Sequence, residues 1–240
     1  MTDFLDYLSQ GLREIELNIS QEQLTQCLKY HDLLLEWNQK INLTSIEDDQ
    51  EIAIKHFIDS LICLKHITMS NEDKIIDVGT GAGFPGLPIK ILMPGIKLGL
   101  LDSLEKRCRF LENIVSALEL NQVDVIHGRA EDLGKDPAYR EQFSFVTARA
   151  VTALPVLAEY CLPFVKIGGY FLALKGPEID EEVNKGEKAV QTMGGRIQEI
   201  KFYQLPLLGD ARSLIIIKKV ISTPDKYPRK TGVPTKKPIL

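Results

Sequence analysis

Lys74-Ile75-Ile76-Asp77-Val78-Gly79-Thr80-Gly81-Ala82-Gly83-Phe84-Pro85-Gly86 decides the fold. Ile75, Ile76 and Val78 form a short apolar run of the kind that makes a buried parallel strand. Four glycines follow within eight residues, and glycine serves where the backbone takes positive φ or lets a ligand come close. Pro85 and Pro88 suit a first helical turn, where a missing N–H costs nothing. The stretch therefore reads as strand, tight turn and helix N-terminus, with exposed amides expected to face a nucleotide-like ligand. A ligand-free corner is the bland alternative, and clustered glycines disfavour it.

Two ligand readings overlap in this stretch. Gly81, Gly83 and Gly86 fit G-x-G-x-x-G, with Asp102 lying 21 residues beyond Gly81, which is the dinucleotide fingerprint of an NAD-dependent oxidoreductase. The other register begins at Asp77 and continues through Gly79, Gly81 and Gly83. A carboxylate ahead of the glycines repels a pyrophosphate and favours a cation such as S-adenosylmethionine, with its amino and sulfonium groups. This register resembles the first motif of the Rossmann-like (class I) methyltransferases.

The 240 residues suffice for one α/β domain with an appendage. No apolar run approaches a membrane span, and the polar N-terminus is not a signal peptide. Cys27, Cys63, Cys108 and Cys161 are dispersed, as reduced and mostly buried thiols of a cytoplasmic protein are. The four histidines are equally scattered, and no metal site is expected. The net charge of −4 is unevenly spread: from Ser222 onward five cations oppose Asp225, a net of +4, so the first 221 residues carry −8. A basic tail on an acidic body guides a polyanion to one face; the competing reading is a solvated disordered end.

Residues 1–70 read as a helical cap, 71–221 as the ligand-binding domain and 222–240 as the basic tail. In the cap, Ser20 and Gln23 make a capping box, a helical stripe runs from Leu24 to Asn38, and a second helix is expected from about Asp48 to Leu64. Beyond the glycine turn, strands are expected at Ile96–Leu101, Val123–His127, Phe143–Thr147 and Tyr170–Leu174. Helices fall between them at Leu104–Leu118 and about Leu154–Val165, the latter ended by Gly168-Gly169. A polar helix, Asp180–Met193, and two late strands, Ile197–Gln204 and Ser213–Lys219, complete the chain. Alternation of strand and helix predicts a mostly parallel seven-stranded α/β sheet. The last two strands, joined without a helix, form a terminal antiparallel hairpin, which class I methyltransferases have and dinucleotide dehydrogenases lack.

Ligands of such sheets sit beyond the carboxyl ends of the strands. Those ends carry Asp77 with the glycines, Asp102, Ala130-Glu131, Arg149 and Lys175. Asp102 suits ribose hydroxyls, although a plain helix cap explains it as well. Ala130 and Glu131 could bracket an adenine. The end of the fourth strand lacks the Pro-Pro-aromatic run of amino methyltransferases, and Cys161 lies inside a helix rather than in a Pro-Cys nucleophile. Arg149, Lys175 and Arg129 are cationic donors and poor bases. They suit an acceptor that already has a free lone pair, such as guanine N7, for which alignment and electrostatics suffice. An ion pair with a helix-end carboxylate is the structural alternative for Arg149.

Motifs along nearly the whole chain resemble the RsmG (glucose-inhibited division protein B) family. They are Trp37-Asn38, Asn42-Leu43-Thr44, His56 with Asp59-Ser60-Leu61, the glycine stretch through Pro88, Asp102-Ser103, Gly128-Arg129-Ala130-Glu131, Thr147-Ala148-Arg149-Ala150, Leu174-Lys175-Gly176 and Tyr227-Pro228-Arg229-Lys230. The resemblance implies N7 methylation of one guanine in the decoding-region loop of 16S rRNA, with S-adenosylmethionine as donor. It implies cofactor contacts at Gly79, Phe84, Ala130, Glu131 and Arg149, beside Gly81, Gly83 and Asp102 of the motif reading. Asn42, Arg129, Arg149 and Lys175 would lie near the target base. The expected partner is 16S rRNA in the small subunit or an assembly intermediate, met by a monomer. Ser144, where the family often has Asp, is expected to matter little, and His56 reads as a buried hinge between cap and sheet. A non-catalytic ribosome-assembly factor is the remaining alternative.

Overall fold

A computed structural model describes residues 3–149 and 151–240; Ala150, the last residue of the Thr147–Ala150 motif, lies outside them. Seven strands form one sheet in the order β3-β2-β1-β4-β5-β7-β6. They are β1 (Lys74–Val78), β2 (Lys97–Asp102), β3 (Val123–His127), β4 (Phe143–Arg149), β5 (Val165–Lys175), β6 (Gly195–Gln204) and β7 (Ala211–Lys219). The first five pair parallel, and β7 inserts antiparallel between β5 and β6. The order reverses at β1 and β4, so the crevice at their carboxyl ends is where a ligand belongs. The predicted hairpin is present, and the dehydrogenase reading loses its architecture.

Side-chain alternation along the strands supplies two cores. Ile75, Leu98, Leu100, Phe145, Leu172 and Leu214 face the helices Gly86–Leu92 and Glu105–Ala117 together with the N-terminal helices. Ile76, Val78, Leu101, Val146, Phe171 and Ile215 face the helices Leu154–Cys161 and Asp180–Thr192. The N-terminal helices Asp3–Glu14 and Gln21–Ile41 thus share a core with one sheet face. Gln23 closes the Ser20 capping box and also donates from Nε2 to the Ile91 carbonyl at 2.7 Å. Cys27, Cys63, Cys108 and Cys161 are all buried. No helix among the described residues is long and apolar enough to cross a membrane.

Three expectations change. The helix expected over 48–64 is present from its Asp48 cap to Cys63–His66, but its middle, Ile52–Ile58, widens into a π-helix. The helix from Leu154 ends at Cys161, and β5 already begins at Val165. Gly168-Gly169 therefore lies within the strand, where the β4–β5 register slips; a Cβ on Gly169 would come within 2.6 Å of the Ser144 carbonyl. Finally, the tail is neither free nor disordered. Arg140 donates to the carbonyls of Thr223 at 2.6 Å and Tyr227 at 2.9 Å, and Arg229 pairs with fully buried Glu159.

Candidate active site

The glycine turn is organised from inside. Asp77, fully buried, accepts from Thr80 Oγ1 at 2.6 Å, Gly86 N at 3.0 Å and Thr147 Oγ1 at 3.0 Å. Burial raises its pKa, while these three donors pull the other way. Its carboxylate therefore braces the loop and does not face a ligand, contrary to the expectation that it selects the cation directly. The amides turn inward as well. Gly79 N and Thr80 N donate to the Leu101 carbonyl, Gly81 N to Asp102 Oδ2, and Gly83 N and Phe84 N to the Thr80 carbonyl. Only the Ala82 amide between Gly79 and Phe84 lacks a protein acceptor among the described residues. The predicted ring of exposed amides is absent, because the loop consumes its own donors.

The loop instead offers acceptors. The carbonyls of Gly79 and Gly81 receive no hydrogen bond from the described residues, whereas Thr80, Ala82 and Gly83 carbonyls are all engaged. Both glycines are partly exposed and line a cavity of about 470 Å³. Gly79 has φ +70°, and a Cβ there would stand 2.9 Å from Val151 Cγ2. Gly83 has φ +98° and leaves room for Tyr30, whose hydroxyl donates to the Ala82 carbonyl and ties the cap to the turn.

Asp102 ends β2 with both oxygens in use. Oδ2 takes Gly81 N and lies 3.5 Å from Arg107 Nη1, and Oδ1 takes Leu104 N at 2.9 Å. It is 3% exposed and lines both the 470 Å³ cavity and a neighbouring one of about 160 Å³. The smaller cavity is walled by Gly79, Arg129, Ala130, Glu131, Val151 and Tyr160. The tail reaches this wall: Gly232 N donates to Glu131 Oε1 at 3.0 Å, and Tyr160 Oη meets Thr235 Oγ1 at 2.9 Å.

Phe84, buried at the far side of the turn, stacks on His56 (centroids 4.8 Å) and on Tyr30 (5.1 Å). Arg149 leaves the end of β4, crosses the Phe84 ring at 5.1 Å and enters the cap. Its Nη1 donates to the Lys55 carbonyl at 2.9 Å and the His56 carbonyl at 3.3 Å, and pairs with Asp59 at 3.3 Å. These carbonyls belong to the π-helix, a form frequent at functional sites. Asp59 also accepts from Tyr203 Oη at 3.0 Å. The ion-pair alternative for Arg149 is thus present, and it coexists with a position lining two cavities. Desolvation, with Arg149 adjacent, lowers the His56 pKa to about 3, so the ring is neutral at ordinary pH. His56, half-buried in the structure, contacts Phe84 and Arg149 across the boundary of cap and sheet.

A third cavity, about 280 Å³, lies beyond β5 between Lys55, His56, Asp59, Arg149, Lys175 and Arg212. Lys175 is mostly buried and held by the Thr152 carbonyl and Glu182, each at 2.5 Å. The predicted residues therefore divide. Gly79, Gly81, Phe84, Asp102 and Arg149 meet at the large cavity, Arg129, Ala130 and Glu131 at the small one, and Lys175 joins Arg149 at the third. Gly83 stays beneath the loop, and Asn42 lines none of the three. Asn42 is exposed in the left-handed region at φ +48°, closing the helix Gln21–Ile41 beside Leu43 and Thr44, which do line the large cavity. Val151, Ser103, Arg107 and Tyr160 were not foreseen. Their contribution depends on how loops from separate strands converge, which no local pattern encodes.

The fold is that of S-adenosylmethionine-dependent methyltransferases. An Aquifex aeolicus SAM-dependent methyltransferase superposes with a TM-score of 0.56 at 18% identity, covering 75% of this chain and 97% of that one. A Streptomyces coelicolor geranyl diphosphate C-methyltransferase gives 0.52 at 13%, covering 67% and 78%. In sequence, a ribosomal RNA small subunit methyltransferase G of Alkaliphilus oremlandii is 52% identical over 234 residues, 98% of either chain. One from Desulforamulus reducens is 49% identical over the full length of both. The family described as rRNA small subunit methyltransferase G matches residues 23–214. Its methyl donor is S-adenosylmethionine, whose ammonium suits the two free carbonyls and whose ribose suits the Asp102 carboxylate. A match spanning cap, glycine turn and hairpin alike makes this chain a member of the rRNA small subunit methyltransferase G family.

Proposed function

We propose that the chain methylates N7 of a guanine in the decoding-region loop of 16S rRNA, acting as a monomer on the small subunit or an assembly intermediate. S-adenosylmethionine supplies an electrophilic methyl group on a sulfonium. Asp102 would hold the ribose, Ala130 and Glu131 the adenine, and the Gly79 and Gly81 carbonyls the amino group. Arg149 spans the boundary between the large cavity and the third, and Lys175 lies in the latter. Together they give the third cavity the cationic wall that suits guanine O6 or a phosphate, since arginine and lysine commonly read that edge. Arg129, exposed at the small cavity, and Asn42, exposed at the end of its helix, are assigned to the RNA as it enters.

The observation that carries this reading is that the described residues offer no usable base where the large and third cavities meet. His56 is neutral with both ring nitrogens engaged, by Arg149 and by Thr44. Asp59 is occupied by Arg149 and Tyr203. An acceptor atom with a lone pair and no proton to lose reacts in such surroundings by alignment alone. An amino or carbon acceptor would need a base.

The test is methylation of small subunits taken from a strain lacking the corresponding gene, with borohydride–aniline cleavage and mass spectrometry locating the methyl group. N7-methylguanosine in the decoding-region loop is expected, and Arg149→Ala should abolish it. A methyl group on another atom would overturn the assignment, and no methyl group on any subunit or precursor would favour the assembly-factor alternative.

A further inference from the structure

The connection after the helix Gln21–Ile41 is fixed by Asn38, whose Oδ1 accepts Leu43 N at 2.7 Å and Thr44 N at 2.9 Å. This sets the Thr44 hydroxyl against His56, and the hydrogen bonds there determine where each proton lies. Arg149 Nη2 stands 3.3 Å from His56 Nδ1. A guanidinium only donates, so Nδ1 must be the bare nitrogen. The single proton of the neutral ring is then on Nε2, which donates to Thr44 Oγ1 at 2.9 Å. Ile46 N donates to the same oxygen at 3.0 Å. Both lone pairs of Thr44 Oγ1 are thereby occupied, and its own O–H remains. No acceptor for it exists among the described residues, while Thr44 lines the large cavity with Gly79, Ala82, Phe84 and Arg149. The low His56 pKa keeps the ring neutral, with one proton to place.

We propose that the Thr44 hydroxyl donates a hydrogen bond to the carboxylate of the methionine moiety of bound S-adenosylmethionine, with His56 acting through Thr44 as a positioning residue. The proposal rests on the large cavity being the cofactor site. Adenine at Glu131 and ribose at Asp102 place the amino-acid end beside Phe84, Arg149 and Thr44. There the Gly79 and Gly81 carbonyls serve the ammonium, and a carboxylate needs donors. Of the loop amides between Gly79 and Phe84 only that of Ala82 is free for it among the described residues, the others being spent internally, so a further donor is needed. Thr44 fills that need with a hydroxyl rotor pinned by two neighbours.

Calorimetric titration separates this role from a merely structural one. S-adenosylhomocysteine carries the carboxylate, and 5′-methylthioadenosine lacks the amino-acid end altogether. Thr44→Val should weaken S-adenosylhomocysteine binding roughly ten- to a hundredfold, as loss of a hydrogen bond to a charged group does. It should leave 5′-methylthioadenosine unchanged, and Thr44→Ser should restore binding to within about threefold. Valine also strands the Ile46 and His56 donors; if that variant unfolds, Thr44→Cys, a weak donor with similar bulk, takes its place in the comparison. Equal weakening of both ligands, or no weakening of either, overturns the proposal. So does an effect confined to the KM for RNA, which would assign the hydroxyl to the base. If the unaltered protein binds neither ligand, the cofactor-site reading itself fails, and the variants are not needed to see it.

Discussion

Replacing Arg229 by alanine leaves a buried carboxylate without its counter-charge. Glu159 is fully buried on the helix Leu154–Cys161. Its Oε1 accepts Arg229 N at 2.7 Å and Nε at 2.9 Å, and its Oε2 accepts Nε at 3.1 Å and Nη2 at 2.6 Å. The substitution deletes all of these but the backbone donor. Removing one partner of a buried pair costs about 3–5 kcal/mol, because the other charge stays desolvated. At roughly 2–4 °C per kcal/mol for a chain of this size, the midpoint should fall by about 6–20 °C. The loss should spread to the ligand site, since the same tail segment donates from Gly232 to Glu131 and touches Tyr160 through Thr235. Urea unfolding followed by circular dichroism measures the first effect, and S-adenosylhomocysteine titration the second. Glu159→Gln added to Arg229→Ala keeps an acceptor for the residue-229 amide and removes the charge, so it should recover most of the stability. A loss below about 1 kcal/mol, or a double variant no better than the single, would refute the buried-pair reasoning.

Two further outcomes follow from the same tail. Lys219 is fully buried, donating to the Leu162 and Met193 carbonyls and to Thr223 Oγ1, with Glu141 at 3.3 Å and Arg140 close enough to oppose its charge. Burial lowers its pKa from 10.5 to about 8. Between those values the unfolded chain holds the extra proton, so stability relative to Lys219→Met should rise with pH from about 8 toward 10; a difference that stays level over this range would contradict it. Of the tail cations, Arg229 is neutralised by Glu159, leaving Lys226, Lys230, Lys236 and Lys237 for RNA. Charge-neutral substitution of these four should flatten the logarithmic salt dependence of rRNA affinity by up to about three counterions, and an unchanged slope would remove the tail from the interface.

The sheet was legible because each strand announced itself locally. Short apolar or alternating segments stood between glycines and helical stripes, and a last pair without a helix between them could only pair as a hairpin. The strand ends followed from that order, and with them Asp102, Ala130, Glu131, Arg149 and Lys175. What stayed hidden was non-local. Nothing in Ile52–Ile58 marks a π-helix, because its widened turn presents carbonyls to an arginine 91 residues beyond its end. Tyr160 reads as one more apolar helix position until the tail is folded against it. The tail's charge suggested a flexible polyanion guide, yet its first anchor, the Lys219–Thr223–Glu141 cluster, is buried and polar. Composition cannot distinguish a lysine that faces solvent from one whose ammonium replaces backbone donors.

The group named for attracting a cation is sealed away, and other groups of the turn face the cavity. A carboxylate ahead of the glycines suggested direct attraction at Asp77, but two hydroxyls and an amide surround that group and the loop seals it. The consequence reaches the ligand through geometry. By taking Gly86 N and Thr80 Oγ1, Asp77 holds the turn in the conformation in which Leu101, Asp102 and Thr80 consume its amides. The carbonyls of Gly79 and Gly81 are then the polar groups left over. A pyrophosphate-binding turn needs the opposite outcome, amides outward and carbonyls satisfied. Asp77 thus braces the turn in the form that leaves the Gly79 and Gly81 carbonyls unpaired among the described residues, and an isosteric amide at that position would weaken the brace without removing any group from the cavity.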